Sequence, residues 1–311
     1  MPFKLCTTIF SKVSKVKIDG EHILKEILSE YKIRVDYKRE IKSKLAEYKT
    51  YHMLFKFVRP KAVFVLSSFT KVGVVMAAKK LSIPVHEAQH GYIGNTHPFY
   101  HAEKKFPEFY PDTLISFGTS EKDANVPSLI FPSKAIIPVG SLQLDLVKER
   151  TPNLKLNAIS KSYELVFCVT LQAIKDKKIV KWVLQQASSN PNWLFIIRPK
   201  QPNASLSLYD KVTNVIELPD ISTYDVLKAS DYNITIFSTT VVEGIYLDTK
   251  PILFNIDNLP RKYFDLDNAE IAIIENDEPI NSKHLTKAGS FNTPYFITNY
   301  FKNVAKQASC I

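Results

Sequence analysis

The stretch Ala62-Val-Phe-Val-Leu-Ser-Ser68 decides the fold class, because a continuous apolar run that ends in small polar residues is typical of a strand in a parallel sheet. A helical pattern over 72–81 and a short strand at 83–85 follow it. A strand, a helix and a second strand in this alternation indicate right-handed βαβ crossovers. We therefore expect the run at 62–68 to be buried on both faces of a doubly wound sheet.

The alternation continues over most of the chain, after a region of amphipathic helices at 20–57. Further strands are predicted at 114–117, 135–139, 164–170, 193–198, 214–218, 232–237 and 251–256, with helices at 175–188, 223–229 and 239–247. The polar stretch 148–161 is predicted to link two domains. The sequence thus predicts an α/β fold of two Rossmann-like, doubly wound lobes that face each other across a cleft. The lobes are residues 1–148 and 149–290, and a C-terminal helix at 291–311 packs back on the first lobe.

Composition excludes several classes of protein. With 311 residues, of which 45% are hydrophobic and 23% charged, and without a biased tract, the chain is neither disordered nor fibrous. Its three cysteines are far apart and odd in number, which excludes a disulfide framework and favours a reducing compartment. No window reaches the ~18 apolar residues of a spanning helix, and the N-terminus lacks a signal-peptide core. We expect a cytoplasmic protein.

The basic charge is concentrated near the N-terminus. The chain carries 41 Lys and Arg against 31 Asp and Glu, and residues 1–60 hold 14 of the bases but only 7 of the acids. Such a region is suited to nucleic acid, to an anionic substrate or to the anionic inner leaflet of a membrane. It is equally typical of a solvated helical face, because acids and bases are interleaved along it.

One segment, Ile83 to His101, carries four of the seven histidines. Within it, His86-Glu-Ala-Gln-His90 matches the H-E-x-x-H motif of zinc hydrolases, in which two histidines one helical turn apart bind the metal and the glutamate, here Glu87, activates water. This alternative depends on a helix. The neighbouring Pro84 favours a strand, in which residues four apart are separated by more than ~12 Å and cannot share a zinc ion.

In the strand-and-loop interpretation the same residues provide hydrogen bonds and proton transfer. The strand end carries Glu87, Gln89 and His90, followed by the flexible Gly91. Ligands of an open α/β sheet bind outside the carboxyl ends of the strands, so His90 or Glu87 is a candidate general base. The other interpretation is that the histidines are ordinary loop residues.

A hydroxyl-rich turn follows a predicted strand in the second half of the chain. Ser238, Thr239 and Thr240 stand between the strand 232–237 and a helix, where backbone N–H groups and the helix dipole attract an anion such as phosphate. Glu243, one turn into the helix, can reach a ribose hydroxyl. The structural alternative is that Ser238 is a helix N-cap, which requires only one hydroxyl.

Positive charge is predicted beside this turn. Arg198 ends the strand 193–198 and Lys200 follows it, so both would face the same crevice. Arginine is suited to bidentate recognition of phosphate. The sequence has no P-loop, G-x-G-x-x-G fingerprint or G-x-S-x-G elbow, which disfavours P-loop kinases, dinucleotide oxidoreductases and α/β-hydrolases.

Five segments in chain order resemble bacterial GT-B glycosyltransferases of surface polysaccharides. They are Glu87-Ala-Gln-His-Gly91, Leu114-Ile-Ser-Phe-Gly118, Val139-Gly-Ser-Leu-Gln-Leu-Asp145, Arg198-Pro199 and the Ser238-Thr-Thr to Lys250-Pro251 block. The sequence is similar to capsule and lipooligosaccharide sialyltransferases and Kdo transferases, which use CMP-sugars, and to teichoic-acid glycerophosphotransferases, which use CDP-glycerol. Arg198-Pro199 stands where the sialyltransferases carry a His-Pro pair that contacts the nucleotide. A UDP-sugar is therefore kept as an alternative donor beside a CMP-sugar.

The resemblance implies the GT-B fold, with an acceptor-side first lobe and a nucleotide-donor second lobe. It implies transfer of a sugar, with inversion and without a required metal or cofactor, from a CMP-sugar or a UDP-sugar to a surface polysaccharide or lipooligosaccharide. The expected site residues are His90 and Glu87 as base candidates, Gln89, Gly91 and His97 in the acceptor loop, and Arg198, Lys200, Ser238, Thr239, Thr240 and Glu243 at the donor.

The partners expected are therefore a nucleotide-sugar, a glycan or glycolipid acceptor and the inner leaflet. A peripheral position on the inner membrane would keep the enzyme near lipid-linked acceptors, and the bases expected to hold it there are Lys12, Lys15, Lys17, Lys38, Arg39, Lys42 and Lys44. No nucleic-acid partner is expected, because no recognisable binding module accompanies the charge. A non-catalytic nucleic-acid-binding protein is the remaining alternative.

Overall fold

The computed structural model describes residues 17–94, 97–124, 126–173, 175–200, 212–267, 269–287, 289–291 and 295–307. It begins with helices α1 (Glu21–Glu30) and α2 (Tyr37–Val58), which agree with the amphipathic pattern in the sequence. The side chain of Asp36 caps α2 by accepting a hydrogen bond from the backbone N–H of Arg39 at 3.0 Å. Lys12 and Lys15 lie outside the described residues.

The first sheet has four strands in the order β1 (Val63–Leu66), β2 (Val85–Ala88), β3 (Thr113–Ser116) and β4 (Ile136–Pro138). β1 pairs in parallel with β2, and β2 with β3. Helix α3 (Val72–Lys80) makes the crossover from β1 to β2. A core of apolar side chains from α2, α3, β1 and β2 covers one face of this sheet.

The expectation that the first strand is buried on both faces is wrong. β1 is an edge strand among the described strands, and only its Val65 is buried. Phe64 and Leu66, which point to the opposite face, are 58% and 59% exposed. The apolar run predicted the strand, but no helix packs on its second face in the described part of the chain.

The second sheet has six strands: β5 (Leu165–Thr170), β6 (Trp193–Arg198), β7 (Val215–Glu217), β8 (Tyr232–Thr235), β9 (Lys250–Phe254) and β10 (Ala272–Ile274). All neighbouring pairs are parallel, in the order β7-β6-β5-β8-β9-β10. This is the Rossmann order, in which the chain winds outward in both directions from the central pair β5 and β8. The sequence had not indicated β10.

The helices that follow β3 along the chain are α4 (Ser120–Ala124), α5 (Leu142–Glu149), α6 (Leu154–Ser160), α7 (Asp176–Ser189), α8 (Thr223–Lys228), α9 (Thr240–Tyr246), α10 (Leu259–Tyr263) and α11 (Ser282–Thr286). Two apolar clusters cover the two faces of the second sheet. Helix α6 forms within the predicted linker at 148–161, and its Leu156 is fully buried in one of these clusters. Asn153 caps α6 by accepting from the N–H of Leu156 at 3.1 Å.

A last helix, α12 (Tyr300–Gln307), lies against α5: the N–H of Tyr300 donates to Asp145 Oδ2 at 2.8 Å. The chain divides into two compact units. Unit 1 comprises Met1–His90, Ala102–Ile115 and Ile130–Ile137, and unit 2 comprises Gly91–His101, Ser116–Leu129 and Pro138–Ile311. The domain bounds of the sequence analysis stay a prediction. Over the described residues, no helix is both long and apolar enough to cross a membrane.

Candidate functional site

The strand order of the second sheet creates a crevice at its centre. The connections after β5 and β8 leave toward opposite sides of the sheet, so the carboxyl ends of these two strands form a topological switch point, where ligands of doubly wound sheets bind. Thr170 ends β5, and its hydroxyl lies 2.8 Å from that of Thr240. The side-chain amide of Asn233 in β8 donates to the Thr240 hydroxyl at 3.2 Å. The crevice is therefore edged by hydroxyl groups.

The turn after β8 uses each of its three hydroxyls differently. Ser238 is buried, and its hydroxyl accepts from the backbone N–H of Thr240 at 3.3 Å, although the N-cap of α9 is Thr239 rather than Ser238. The hydroxyl of Thr239 hydrogen-bonds that of Tyr263. The turn is thus fixed by its own side chains. A phosphate contact with it stays a prediction.

Glu243 lies in the first turn of α9 as the sequence suggests, and the structure adds a partner that the sequence did not reveal. The hydroxyl of Tyr224 in α8 donates to Glu243 Oε1 at 3.1 Å. Burial raises the pKa of Glu243, and the hydrogen bond from Tyr224 lowers it in part. Burial and the adjacent carboxylate raise the pKa of Tyr224 well above its usual value. A half-buried carboxylate at this position is suited to accept hydrogen bonds from a diol.

Arg198 ends β6 and is half-buried, as its position at the strand end predicts. Among the described residues its hydrogen bonds run to the backbone carbonyl of Leu218 at 2.5 Å and to Thr223 Oγ1 at 3.3 Å. The guanidinium therefore lies over the connection between β7 and α8, and Thr223, one of its two partners, directly precedes Tyr224 in the sequence. Lys200 is exposed and precedes residues 201–211, which are not described.

The H-E-x-x-H interpretation fails on secondary structure. His86 and Glu87 are consecutive residues of strand β2, so their side chains point to opposite faces of the sheet. His86 lies 2.6 Å from Thr113 Oγ1, whereas Glu87 accepts from the backbone N–H of Ser68 at 3.1 Å. No group of three or more His, Cys, Asp or Glu in the described ranges is arranged to hold a metal ion. The zinc-hydrolase alternative is therefore wrong.

The residues at the end of β2, which include the two base candidates, differ in their exposure to solvent. Glu87 and Gln89 are buried, and the N–H of Gln89 extends the sheet by donating to the Ile115 carbonyl at 2.9 Å. His90 is exposed, with its ring centroid 6.2 Å from that of Phe69. The burial of Glu87 and the exposure of His90 make the histidine the more accessible of the two base candidates.

The loop after His90 approaches the hydroxyl-rich turn within unit 2. A Cβ atom placed on Gly91 would lie 3.8 Å from Thr239 Oγ1, so the loop backbone lies beside that side chain. His97 is half-buried, with its ring centroid 4.8 Å from that of Tyr100, and its Nδ1 accepts from the N–H of Phe99 at 3.4 Å. Gly91 is thus next to the switch point, while His97 shapes the loop.

Sequence reasoning missed Thr170, Asn233 and Tyr224. A signal exists for Thr170, because it is the last residue of a strand predicted from the sequence and ligands bind beyond the carboxyl ends of such strands. Asn233 lies near the start of its strand, where that signal does not apply. No signal existed for Tyr224, whose contact with Glu243 spans two separate helices.

Neither a protein-family model nor a curated protein matches the sequence. Solved structures match the fold at low sequence identity. The UDP-GlcNAc 2-epimerase of Methanocaldococcus jannaschii, in complex with UDP-GlcNAc and UDP, has a TM-score of 0.55 at 15% identity and covers 87% of this chain and 81% of its own. The Neisseria meningitidis UDP-GlcNAc 2-epimerase bound to UDP-GlcNAc has a TM-score of 0.56 at 15% identity, with coverages of 94% and 90%.

A glycosyltransferase shares the same architecture. The calicheamicin glycosyltransferase CalG4 has a TM-score of 0.52 at 12% identity and covers 81% of this chain and 72% of its own. Epimerases and transferases of this kind have two Rossmann-like domains built on parallel sheets, as this chain does. The chain therefore has the fold of the GT-B enzymes, as the sequence analysis predicted.

Proposed function

We propose that the protein is a glycosyltransferase, which moves a sugar from a nucleotide-sugar to a bacterial surface polysaccharide or lipooligosaccharide, with inversion and without a required metal. One observation carries the proposal. The switch point of a Rossmann sheet is edged by the hydroxyls of Thr170 and of Ser238–Thr240, and the half-buried carboxylate of Glu243 follows within one helical turn.

Two kinds of evidence bear on the nucleotide. Structures of this fold with bound UDP-GlcNAc and UDP support a UDP-sugar donor. The motif resemblance favours a CMP-sugar, and CDP-glycerol with transfer of glycerol phosphate is the alternative from the same comparison. All three place a pyrimidine nucleotide at the switch point, so one binding experiment compares them.

The roles proposed for the residues follow from their surroundings. Ser238, Thr239 and Thr240 contact the donor phosphates, with Arg198 and Lys200 supplying positive charge nearby. Glu243, held by Tyr224, accepts hydrogen bonds from the ribose diol.

His90 removes the proton of the acceptor hydroxyl, and Gln89, Gly91 and His97 form the acceptor loop around it. The exposure of His90 supports this assignment over Glu87, which is buried and already accepts a backbone hydrogen bond from Ser68. Glu87 is then a positioning residue that holds the end of β1 against β2.

Nucleotide binding is measured by thermal shift with UDP, CMP, CDP and GDP. A ligand at ~100 times its Kd adds about 2.7 kcal/mol of stability, which is easily detected. We expect a shift with one of the pyrimidine nucleotides, and Glu243→Ala to abolish it. A protein that none of the four nucleotides stabilises would contradict the donor-site proposal.

Transfer is measured as donor consumption with lipid-linked or soluble glycan acceptors, in EDTA. General-base catalysis contributes typically about 10²–10⁴-fold. His90→Ala should therefore lower kcat by about that factor while nucleotide binding stays unchanged. His22→Ala is the matched control, because His22 is an exposed histidine of α1. An unchanged kcat in His90→Ala would remove His90 from this role, and formation of an epimerised UDP-sugar without acceptor would identify an epimerase instead.

A second observation supports the peripheral membrane position. Every residue from Tyr31 to Asp36, in the connection between α1 and α2, is exposed, and the segment alternates apolar with basic residues, as Tyr31-Lys-Ile-Arg-Val35. Its apolar side chains and those of Ile23 and Ile27, one turn apart on α1, are between 45% and 67% exposed. Apolar side chains that enter the interface, flanked by lysine and arginine, are typical of segments that lie on anionic lipid.

Basic side chains on α2 contribute to the proposed contact with anionic lipid. Lys38, Arg39 and Lys42 share one side of α2 by helical spacing, and Lys38 also pairs with Glu21 at 2.8 Å. Lys44 donates to the Thr70 carbonyl at 2.6 Å. Each base near the surface contributes roughly 1 kcal/mol of attraction. The protein should sediment with vesicles that contain anionic lipid at low salt and be released at high salt.

Two variants separate charge from apolar contact in the same assay. Lys38→Glu/Arg39→Glu/Lys42→Glu should abolish sedimentation, and Ile33→Ser/Val35→Ser should weaken it at every salt concentration. Activity on a soluble acceptor should stay unchanged in both. Equal binding to neutral vesicles would show that the basic excess is a solvated surface.

A further inference from the structure

A cavity of about 360 Å³ lies within unit 2. Its lining includes the aromatic side chains of Tyr92, Phe291 and Tyr295, here called the aromatic floor, and the acids Glu121, Asp123 and Asp265, here called the rim. The volume lies in the range of small-molecule sites, which are typically apolar with a few polar groups at defined positions. None of the roles proposed above uses this cavity.

The aromatic side chains of the floor pack against one another. The ring centroids of Tyr92 and Tyr295 lie 5.0 Å apart and those of Tyr92 and Phe291 6.3 Å apart, with interplanar angles of 29° and 30°. The buried hydroxyl of Tyr295 accepts from the N–H of Ile93 at 2.8 Å and donates to the carbonyl of Gly91 at 3.3 Å. These bonds tie the floor to the loop that follows His90.

The rim is negatively charged. Glu121 and Asp123 are two residues apart on α4, the former buried and the latter exposed, and Asp265 is half-buried just after α10. No lysine or arginine occurs among the described residues that line the cavity. A phosphate or a carboxylate would meet acids and no cation there, so the cavity is unsuited to the diphosphate of a donor.

The carboxylates are not a metal site. In the described part of the chain no three His, Cys, Asp or Glu side chains stand close enough to hold an ion. The one histidine on the lining, His101, contacts Ser128 Oγ through Nδ1 and the Gly94 carbonyl through Nε2, both at 2.9 Å. Glu121 already accepts from Ser120 Oγ at 3.2 Å and is hydrogen-bonded to the hydroxyl of Tyr295, which shows that the carboxylates of the lining act as hydrogen-bond acceptors.

We propose that this cavity binds the acceptor sugar and selects a neutral or ammonium-bearing pyranose over an anionic one. A pyranose has an apolar face of C–H groups, which an aromatic floor covers, and a rim of hydroxyl donors, which carboxylates accept. A protonated amine on the sugar binds more tightly still, because it forms charged hydrogen bonds with the carboxylates and cation–π contacts with the aromatic rings. That the bound sugar is the acceptor rests on the proposed transferase function.

Sugar binding is measured by saturation-transfer NMR on the full chain with UDP present, at about pH 6, where a sugar amine is protonated. The probes are D-glucosamine, D-glucose and D-glucuronate. Glucosamine and glucose should bind, with glucuronate at least about tenfold weaker. Asp123→Asn, at an exposed helix position, should weaken glucosamine about fivefold while leaving glucose nearly unchanged.

Asp265→Asn should act in the same way, and Asp267→Asn is the matched control. Asp267 is an exposed acid two residues away that does not line this cavity. Glucuronate binding as tight as glucosamine binding, equal effects of Asp123→Asn and Asp267→Asn, or no binding of any sugar would each overturn the proposal. A chain that binds these sugars but no nucleotide would overturn the donor site instead and leave the cavity assignment intact.

Discussion

Replacing Gly94 with alanine will destabilise the protein, because the new methyl group has no room. Its Cβ would lie 2.5 Å from Cε1 of Tyr92 and 3.1 Å from the backbone oxygen of Tyr263. Carbon atoms in contact prefer ~3.5–4.0 Å, so the Tyr92 ring must move by about 1 Å. That ring is confined by Phe264 and Tyr295, each with its centroid 5.0 Å away. Overpacking of this kind costs about 1–3 kcal/mol.

The same substitution at Gly244 serves as the control and should have the opposite sign. Gly244 lies inside α9, and an added Cβ would meet its nearest neighbours at 3.6–3.7 Å, which is ordinary contact. Alanine is favoured over glycine by about 1 kcal/mol in a helix interior. The two variants should therefore differ by about 2–4 kcal/mol in free energy of unfolding.

The assay is urea unfolding followed by tryptophan fluorescence. Both tryptophans, Trp182 in α7 and Trp193 in β6, lie in unit 2 with the two glycines, so the signal reports on the unit that is perturbed. The midpoint should fall for Gly94→Ala and rise for Gly244→Ala at unchanged slope. A Gly94→Ala protein within about 0.5 kcal/mol of the wild type would refute the close contact between Gly94 and the aromatic floor.

Three further substitutions test single interactions. Burial raises the pKa of Glu243 above its ordinary value of 4.5, so the folded-state pKa exceeds the unfolded one. The free energy of unfolding therefore falls as the pH rises from the unfolded-state pKa through the folded-state pKa. Glu243→Gln should flatten this pH dependence, measured by urea unfolding from acid to neutral pH. Burial lowers the pKa of His86 in the folded chain below its ordinary value of 6.5. Its contribution to the free energy of unfolding is therefore fully present above pH 6.5 and is lost as the pH falls through the folded-state pKa. His86→Gln should reduce the drop in Tm between neutral and acid pH. The ammonium of Lys228 donates to the carbonyls of residues 147, 148 and 150 at the end of α5, at 2.9, 2.8 and 2.6 Å. Lys228→Met should lower the free energy of unfolding in urea by about 1–2 kcal/mol. An unchanged free energy of unfolding would show that water replaces these bonds.

Local sequence determined the elements and their parallel arrangement. Apolar runs such as Phe167–Val169 and Leu194–Ile197 are fully buried in strands, because only a sheet covered on both faces accommodates consecutive apolar side chains. The alternation of such runs with helices predicted two Rossmann-like domains. The hydroxyl-rich turn at Ser238–Thr240 was evident for the same reason, since it stands where a strand ends and a helix begins.

The tertiary structure decided which residues meet. The strand order, which makes β5 and β8 neighbours and so brings Thr170 to Thr240, depends on the direction of each crossover, and the spacing of apolar residues does not encode that direction. Edge position likewise decided the exposure of β1, because the covering of its second face depends on other parts of the chain.

The aromatic cavity shows most clearly what the sequence alone does not predict. Ile93 and Tyr295, whose hydrogen bond holds its floor, are 202 positions apart in the sequence. The partner of Glu243 and the carbonyl that holds Arg198 are equally distant from any local pattern. Periodicity records which side of an element is buried, whereas a binding site depends on which side chains pack together in three dimensions, and only the folded chain determines that.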